Sequence, residues 1–424
     1  MKITLIQPEY FNIWEALGLA YIGAFIKKKF PGKLELNFHQ GNFDEDRTIL
    51  REAKTSDLVA FSCTSPVFRP ALKLAQAIKE IHPEVRTVFG GFHPSAVPKD
   101  CLEEEAVDQV VVGEGEEAFL KILLGEDAPI VQGDRFSDLN HIFPDRNLIQ
   151  NIRTIDLCER QIGKRITSFQ SVRVCPLRCS FCAERVVTGV YQKQNNPVRE
   201  RDPGHLLDEI EWAAREYRLD HFKFSDATWN TSIEKVMAFC EEKIRRNFSL
   251  PWDANVHASF ADKNMLEAMK AAGCQLINVG VESGSQKILN DMKKGLSVDK
   301  VKKVFRWAKE LGLERRAFFL LGLPNETEKD IRLTERLVEE IQPEVFGITI
   351  LSPYPGTAHY NPKTMKKYNW TFADEYSNPY WKTKYFSNAE IKYWQGYLTD
   401  KFSSNLSWHN RLIKENPGLI GAGG

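Results

Sequence analysis

Short apolar runs alternate with amphipathic stretches along the first third of the chain. Four of the runs are typical of β-strands: Ile3–Pro8, Leu34–Phe38, Leu58–Cys63 and Arg86–Gly91. Two stretches have helical spacing: Ala16–Phe30 and Pro70–Ile81. Because strands that alternate with helices form parallel sheets, residues 1–145 are predicted to fold as a doubly wound α/β domain. Ligands of such a sheet lie at the carboxyl ends of its strands.

The same alternation returns further along, after a predicted linker at residues 146–165. Its six strand candidates are SFQSVRV, HFKFSD, PWDANVHA, LINVGVE, RRAFFLLG and VFGITILSP. A helical pattern follows each of them, so residues 166–360 are predicted to form a partial (β/α)6 barrel. The active site of such a barrel is expected where the carboxyl ends of the strands meet.

The remaining residues, 361–424, are predicted to form a small, mainly helical region that is dense in aromatic side chains. The aromatic positions are Trp370, Phe372, Tyr376, Tyr380, Trp381, Tyr385, Phe386, Tyr393, Trp394, Tyr397 and Phe402. One interpretation is a cap whose aromatics fill its own core. The other is a lid whose aromatics line a substrate pocket.

Composition restricts the class of partner. The chain has 57 basic and 57 acidic residues among 424, which argues against a surface for DNA or anionic membranes. No window approaches eighteen uncharged apolar residues, and the first residues do not match a signal peptide. Five of the eight cysteines are scattered singly, as expected in a reducing compartment. We therefore expect a cytoplasmic protein that binds neither nucleic acid nor membrane.

The other three cysteines stand close together in VRVCPLRCSFCAERV, directly after the first barrel strand. They are Cys175, Cys179 and Cys182. Structural zinc usually takes two close pairs of ligands, and no second pair lies nearby. A redox pair would need the two-residue gap alone. A [4Fe–4S] cluster accommodates the spacing better, and three local ligands would leave one iron open to a substrate or cofactor.

CPLRCSFC matches the CxxxCxxC motif of the radical S-adenosylmethionine (SAM) enzymes, including the aromatic Phe181 before the third cysteine. The chain resembles that family. The resemblance implies that the three cysteines hold a [4Fe–4S] cluster and that SAM chelates its fourth iron. One electron, supplied by a donor such as ferredoxin or flavodoxin, then cleaves SAM to methionine and a 5′-deoxyadenosyl radical.

The resemblance also implies SAM contacts on later strands. In FSDATWN, Asp226 and Thr228 would face the site, and in INVGVESGS, Glu282 would contact SAM. Arg316, or its neighbour Arg315, would neutralise the SAM carboxylate. The alternative for Glu282 is an ordinary salt-bridged surface residue.

The first domain resembles the cobalamin-binding domain of one radical SAM subgroup. The matching segments are LGLAYI, VFGGFHPSAVP and VDQVVVGEGEE, which supply Gly90, Gly91, Phe92, His93, Gly113, Glu114 and Gly115 as predicted cofactor contacts. Glycines there permit positive φ and close backbone approach, and helix-start N–H groups could bind the nucleotide tail. A generic dinucleotide fold is disfavoured, because GxGxxG does not follow the first strand.

The lower face of the cobalt is predicted to lack a histidine ligand. The DxHxxG motif of many cobalamin domains is absent, and His93 lacks the required Asp. We predict base-off cobalamin, with its lower face covered by the loop Thr64–Pro70. The candidate residues of that loop are Thr64, Val67, Phe68 and Arg69.

Both cofactors in one chain suggest methylation of an unactivated carbon by way of the deoxyadenosyl radical and methylcobalamin. The alternatives are a radical rearrangement or cyclisation with the same cofactors, and a non-catalytic cobalamin carrier or sensor. By resemblance of size and layout, the expected substrate is a peptide or protein side chain, such as the C-methylated glutamine of methyl-coenzyme M reductase.

Overall fold

The computed structural model describes residues 1–11, 13, 15–191 and 198–415. The described chain separates into two compact units. Unit 1 contains Met1–Gly163 together with the described parts of Ala183–Pro197 and Tyr354–Thr371. Unit 2 contains Lys164–Cys182, Val198–Pro353 and the described chain from Phe372 onward.

The secondary structure has the following bounds. The strands are β1 (Lys2–Gln7), β2 (Glu35–Gln40), β3 (Leu58–Ser62), β4 (Arg86–Gly90), β5 (Gln109–Val112), β6 (Ile130–Gln132), β7 (Ile166–Phe169), β8 (Val172–Arg173), β9 (Arg199–Glu200), β10 (His221–Phe224), β11 (Trp252–Asn255), β12 (Cys274–Glu282), β13 (Glu314–Leu321) and β14 (Val345–Ile350). The α-helices are α1 (Leu17–Lys29), α2 (Asp46–Ala53), α3 (Ser65–Ile81), α4 (Phe92–Ala96), α5 (Pro98–Cys101), α6 (Gly115–Leu123), α7 (Asn151–Ile162), α8 (Glu184–Val190), α9 (Pro203–Tyr217), α10 (Ile233–Arg245), α11 (Lys263–Ala271), α12 (Gln286–Asp291), α13 (Val298–Glu310), α14 (Glu328–Ile341), α15 (Pro362–Met365), α16 (Asn388–Lys401) and α17 (Trp408–Glu415). Three 3-10 helices cover Leu139–His141, Ala258–Phe260 and Ser403–Asn405.

Unit 1 is built on a parallel sheet of six strands in the order β2-β1-β3-β4-β5-β6. The strands are apolar on both faces because helices cover both, and two buried clusters result. Phe61 and Phe89 belong to one cluster, and Leu5 and Phe25 belong to the other. The strand order reverses between β1 and β3, which is where doubly wound sheets bind ligands. The predicted doubly wound domain is thus confirmed.

Helix α3 corrects the sequence interpretation of the segment Thr64–Pro70. The segment was predicted as a loop with the helix starting at Pro70, but α3 begins at Ser65 and contains Pro70. Pro66 favours this early start because its fixed φ suits the first turn of a helix, where its missing N–H costs no bond. The first residues of the segment therefore have a fixed helical backbone.

The predicted linker at residues 146–165 is also corrected. It contains α7, and its first residues pack within unit 1. Arg146 is 1% exposed and donates to Asn151 Oδ1, whose amide donates in turn to Glu15. Arg153 donates to Asp44 and to the Phe43 carbonyl. These buried polar bonds fasten the segment to the domain that precedes it.

Unit 2 contains the predicted six-unit partial barrel. Its six parallel strands have the order β14-β13-β12-β11-β10-β7, so each pairs with its neighbour in the chain once the separate antiparallel pair β8–β9 is set aside. Side chains alternate between two faces. Phe222, Phe224 and Trp252 pack with Phe239 of α10 on the helix-covered face. Polar residues occupy the other, concave face.

The C-terminal region differs from the first interpretation made from the sequence, a cap with a core of its own, whereas the substrate-facing lid stays a prediction. Tyr354–Thr371 belongs to unit 1, so the predicted cap at residues 361–424 is not one body. The rest covers the last barrel strand: Ile350 donates to the Glu375 carbonyl, and Asn410 bonds to both the N–H and the C=O of Ile348. An unpaired strand edge is thereby protected.

The aromatics beyond residue 371 pack on barrel elements rather than forming a core of their own. The Trp381 indole donates to the Gly322 carbonyl at 2.6 Å, and Tyr397 donates to Glu335 of α14. The guanidinium of Arg332, also on α14, lies 4.7 Å from the centre of the Trp394 ring. None of the helices that the structure describes is long and apolar enough to cross a membrane.

Candidate functional site

The cysteine loop follows β7 and the short strand β8, and hydrogen bonds hold it at its start and at its middle. Cys175 and Cys179 are buried and Cys182 is half-buried. Midway along the loop, Ser180 N donates to the carbonyl of Met292 at the end of α12. The Cys175 sulfur lies 3.4 Å from Thr228 Oγ1, so the predicted placement of Thr228 beside the loop is observed.

Asp226 anchors the start of this loop and does not face its sulfurs. Its carboxylate accepts from Ser171 N, Ser171 Oγ and Val172 N at 2.7–2.9 Å. Burial raises the pKa of Asp226 to about 6, against the opposing effect of these donors. The direct contact with SAM predicted for Asp226 is corrected, because these bonds turn the carboxylate toward the loop backbone. Asp226 is a positioning residue.

Glu282 lies at the carboxyl end of β12 with φ 67°, in the left-handed region that a side chain rarely adopts. The register with β13 shifts between Gly280 and Glu282, and this irregularity directs the carboxylate to Lys294. Lys294 Nζ lies 2.6 Å from Glu282 Oε1, and both side chains are largely buried. Glu282 is therefore ion-paired, but inside the site rather than on the surface.

Lys294 is a functional candidate that the sequence reasoning missed. Its ammonium lies 5.7 Å from the centre of the Phe181 ring. Although burial opposes it, the net effect of Glu282, Cys179 and Cys182 raises the pKa of Lys294. Burial raises the pKa of the Cys179 thiol, and Lys294 opposes that rise. The sequence contains Lys294 in the segment MKKG (292–295) after α12, but no spacing pattern connects this segment to the cysteines.

His257 follows β11 and was also missed. It is 5% exposed, and neither ring nitrogen has a hydrogen-bond partner among the described residues. Burial, and secondarily the charge of Lys294, lower its pKa to about 4. A buried polar ring without a partner is costly in an interior that needs no ligand. His257 thus offers unpaired ring nitrogens close to Lys294, which is itself paired with Glu282.

The residues fit an iron–sulfur cluster. No group of three or more His, Cys, Asp or Glu side chains in the described ranges converges tightly enough for a single metal ion. A four-iron cluster attaches each thiolate to a different iron, so its ligands need not meet at one point. The positive charge of Lys294 favours the thiolates that such a cluster requires.

The two arginines of β13 have different surroundings. Arg315 faces the helices, where it pairs with Glu344 and donates to the carbonyls of Phe305 and Ile341. Its suggested role at the SAM carboxylate is therefore wrong. Arg316 points to the concave face, and its Nε has no partner among the residues that the structure describes.

At the ligand edge of unit 1, His93 is occupied within the protein. Its Nδ1 lies 3.0 Å from Ser65 Oγ, and its ring packs 4.4 Å from the Phe68 ring. Burial lowers the pKa of His93 to about 3. Phe68 and Val67 are buried in the core, whereas Thr64 and Arg69 are exposed at the start of α3. Of the four residues predicted to cover the lower face of the cobalt, only Thr64 and Arg69 have exposed side chains.

The glycine turns at this edge bring backbones together. Gly91 has φ 103°, and a Cβ there would lie 2.6 Å from the Cys63 carbonyl oxygen. Gly90 precedes it at the end of β4, and the half-buried Phe92 begins α4. The absence of a side chain at Gly91 therefore lets the turn after β4 lie directly against the backbone of Cys63.

The turn after β5 is filled from within unit 1. The N–H of Gly113 donates to Ser95 Oγ, and that of Glu114 donates to the Tyr191 hydroxyl at 2.6 Å. A Cβ on Gly115 would lie 2.6 Å from Ile22. The prediction that N–H groups of this turn bind a nucleotide tail is corrected for these two amides, because the protein already satisfies them.

Comparisons with known proteins match both units. Residues 169–338 match the Radical SAM superfamily, and residues 4–123 match the B12 binding domain. The chain is 24% identical over 392 residues to the anaerobic magnesium-protoporphyrin IX monomethyl ester cyclase of Rubrivivax gelatinosus, covering 84% of this chain and 68% of the cyclase. It is 24% identical over 422 residues to an uncharacterised methyltransferase of Pyrococcus horikoshii, covering 92% and 90%.

A solved structure shares the fold. It is the radical S-adenosylmethionine methyltransferase TsrM of Kitasatospora setae, with cobalamin and a [4Fe-4S] cluster bound. The TM-score is 0.69 at 17% identity, over 84% of this chain and 73% of that one.

These findings first define a class: the chain is an enzyme of the radical SAM superfamily. With the B12 binding domain ahead of the barrel, it belongs to the cobalamin-binding radical SAM enzymes. An iron–sulfur cluster, SAM and cobalamin are thus its cofactors at the level of the family. The base-off state of the cobalamin and the individual contact residues stay predictions.

Proposed function

We propose that this enzyme methylates an unactivated carbon, taking hydrogen with a SAM-derived radical and methyl from cobalamin. The observation that supports this most is the cysteine loop with the Glu282–Lys294 pair beside it, in a chain that also carries a B12 binding domain. When bound, the cluster with SAM supplies the hydrogen-abstracting radical, and the cobalamin supplies the methyl group.

The residues of unit 2 have distinct roles in this proposal. Cys175, Cys179 and Cys182 hold the cluster, and Asp226 fixes the loop that carries them. Lys294 keeps positive charge next to the thiolates and orients Glu282. Lys294 donates to only one oxygen of Glu282, Oε1. The carboxylate has further lone pairs, and with these Glu282 accepts hydrogen bonds from SAM.

In unit 1, the cobalamin is proposed to lie at the carboxyl ends of β1, β3 and β4, with no histidine on the cobalt. The occupation of His93 by Ser65 and Phe68 supports this. Thr64 and Arg69 would meet the lower face, and Gly90, Gly91 and Phe92 would meet the corrin.

Cyclisation with the same cofactors is the second candidate, because one similar protein is a magnesium-protoporphyrin ester cyclase. A methylase consumes SAM twice and releases S-adenosylhomocysteine as well as 5′-deoxyadenosine. A cyclase releases only 5′-deoxyadenosine. We favour methylation because the relative that covers 92% of this chain and the TsrM neighbour are methyltransferases.

We further propose a peptide or protein side chain as the substrate, a ferredoxin or flavodoxin as the electron donor, and a cytoplasmic location. All eight cysteines are free in the structure, which suits a reducing compartment. The low-potential electron needed for reductive cleavage calls for a protein donor or a strong chemical reductant.

The test is an anaerobic assay of the full chain after reconstitution with iron, sulfide and cobalamin. SAM with a deuterated methyl group and a strong reductant are added, and products are followed by mass spectrometry. We expect 5′-deoxyadenosine together with deuterium recovered in the corrinoid. The triple variant C175A/C179A/C182A should lose the 5′-deoxyadenosine, whereas C158A, on the half-buried Cys158 of α7, should retain it.

Two outcomes would contradict the proposal. Equal 5′-deoxyadenosine from wild type and the triple variant would remove the cysteines from catalysis. 5′-Deoxyadenosine without S-adenosylhomocysteine and without deuterium in the corrinoid would favour cyclisation over methylation.

A further inference from the structure

The concave face of the barrel carries a second polar group of side chains, distinct from the cysteine loop. It consists of His221 on β10, Asp253 on β11, Asn278 on β12 and Arg316 on β13. We call it the interior cluster. Asn278 pairs directly with Arg316 in the sheet register, so the two side chains project to the same face. Glu282 lies four residues further along β12, about 13 Å away along the strand.

The internal bonds of the interior cluster fix its orientation. His221 Nε2 lies 3.0 Å from Asp253 Oδ2, and Asn278 Nδ2 donates to Asp253 Oδ1 at 3.2 Å. The Asn278 amide cannot be reversed without placing its oxygen against the carboxylate, so its Oδ1 points away from Asp253. Both carboxylate oxygens of Asp253 are therefore hydrogen-bonded, one to His221 and one to Asn278, and Asp253 holds these two side chains in place.

Three buried polar atoms of the cluster remain without a hydrogen-bond partner among the described residues. They are His221 Nδ1, Asn278 Oδ1 and Arg316 Nε. His221 is 6% exposed and Asn278 is 7% exposed, so solvent does not compensate them freely. An unpaired buried polar group destabilises the folded state, so three of them in one cluster indicate a ligand that pairs with them.

The unpaired atoms have a defined chemistry. Arg316 can only donate, and Asn278 Oδ1 can only accept. A group that offers an acceptor and a donor side by side satisfies both, and a carboxamide is such a group. A carboxylate could pair with Arg316, but it offers no donor to Asn278 Oδ1, and it would lie close to the negative charge of Asp253. We propose that the interior cluster binds a carboxamide of the substrate, with its C=O on Arg316 and its N–H on Asn278.

This inference rests on the proposed function, since it names a substrate group that the barrel holds about 13 Å along β12 from Glu282, away from the reacting carbon. It favours a primary amide side chain over a free acid, and over a trans peptide bond, whose C=O and N–H point in opposite directions. Arg316 thereby serves the substrate rather than the SAM carboxylate, because it lies beside Asn278 and far along the sheet from Glu282.

The experiment uses three molecules of equal size and the full chain, without SAM or reductant. Butyramide donates and accepts, 2-pentanone only accepts, and butyrate is an anion that only accepts. Saturation-transfer difference NMR compares their binding. We expect at least fivefold stronger transfer to butyramide than to either of the others. Equal transfer, stronger transfer to butyrate, or no transfer to butyramide would overturn the proposal.

Variants locate the binding. R316M removes the donors while keeping much of the volume, and N278A removes the acceptor. Each should lower transfer to butyramide at least fivefold, whereas R306A, on the exposed Arg306 of α13, should not. Undiminished transfer in both folded variants would also overturn the proposal. The wild-type comparison decides the matter if a variant fails to fold. Since no SAM is cleaved, the result is independent of whether the enzyme methylates.

Discussion

At the scale of single residues, Gly280 shows how closely the site is packed. A Cβ at this position would lie 2.5 Å from Glu282 Oε1 and 2.9 Å from Lys294 Nζ. We expect G280A to displace the ion pair and to weaken SAM binding at least tenfold in equilibrium dialysis with the reconstituted enzyme. Separating the carboxylate of Glu282 from the ammonium of Lys294 would leave two uncompensated charges in a buried site, which is energetically unfavourable.

The matched control for this change is G396A on α16. Nothing lies within 4 Å of a Cβ at that position, and alanine is the better helix former. G396A should bind SAM as wild type does and should be no less stable. Unchanged SAM affinity in G280A would show that the ion pair does not contribute to the SAM site.

Glu326, in the connection between β13 and α14, predicts a pH dependence of stability. Its Oε2 accepts from Gly322 N at 2.7 Å, but Oε1 is buried without a partner in the described structure. Burial raises its pKa from 4.5 to about 8. The folded state therefore keeps a proton that the unfolded state releases, so stability falls as pH rises from about 4.5 to about 8.

E326Q removes this effect while keeping an acceptor for Gly322. Relative to wild type, its Tm should rise progressively between pH 5 and pH 8.5, corresponding to roughly 3–5 kcal/mol at the upper end. E216Q, on an exposed residue of α9, should leave the difference flat. A constant Tm difference between E326Q and wild type across this range would contradict a raised pKa.

At the scale of elements, Asn410 ends the barrel sheet. It accepts from Ile348 N at 3.2 Å and donates to Ile348 O at 2.7 Å, and it is 6% exposed. N410A leaves two backbone groups of β14 unpaired, so we expect a loss of about 2–4 kcal/mol in unfolding free energy and greater aggregation on heating. N264A, on an exposed residue of α11, is the control. Equal denaturation midpoints for N410A and N264A would count against edge protection.

The elements themselves were largely predictable, because parallel strands that are buried on both faces leave apolar runs in the sequence. The start of α3 was not, because Pro70 resembled a helix start although Pro66 takes that role. The cysteines were found through their spacing. Lys294 and His257 were not found, because their role depends on how β11 and α12 meet the loop. The inward orientation of Glu282 depends on a register shift that no local pattern reports.

At the scale of the whole molecule, the order of segments in the chain differs from their grouping in space. Unit 1 includes the described part of Ala183–Pro197, which directly follows the cysteine loop in the chain. Tyr191 of this segment packs into the turn after β5. The Tyr191 hydroxyl accepts a hydrogen bond from the N–H of Glu114 and donates one to the Gly133 carbonyl at 3.3 Å. Gly113, with φ 89°, has no room for a side chain because a Cβ there would lie 2.5 Å from that hydroxyl. A cut after Gly163 would therefore leave this turn incomplete.

We accordingly expect Y191F to affect the cobalamin unit selectively. The change removes one hydroxyl and leaves Glu114 N and Gly133 O without it, in a turn at the ligand edge of the sheet. Visible spectra of the full chain should show hydroxocobalamin binding weakened about threefold to tenfold, with iron content unchanged. Y393F, on a tyrosine that is 64% exposed on α16, should change neither. If Y191F lowers the iron content but not cobalamin binding, the segment after the cysteine loop serves the cluster rather than the cobalamin unit.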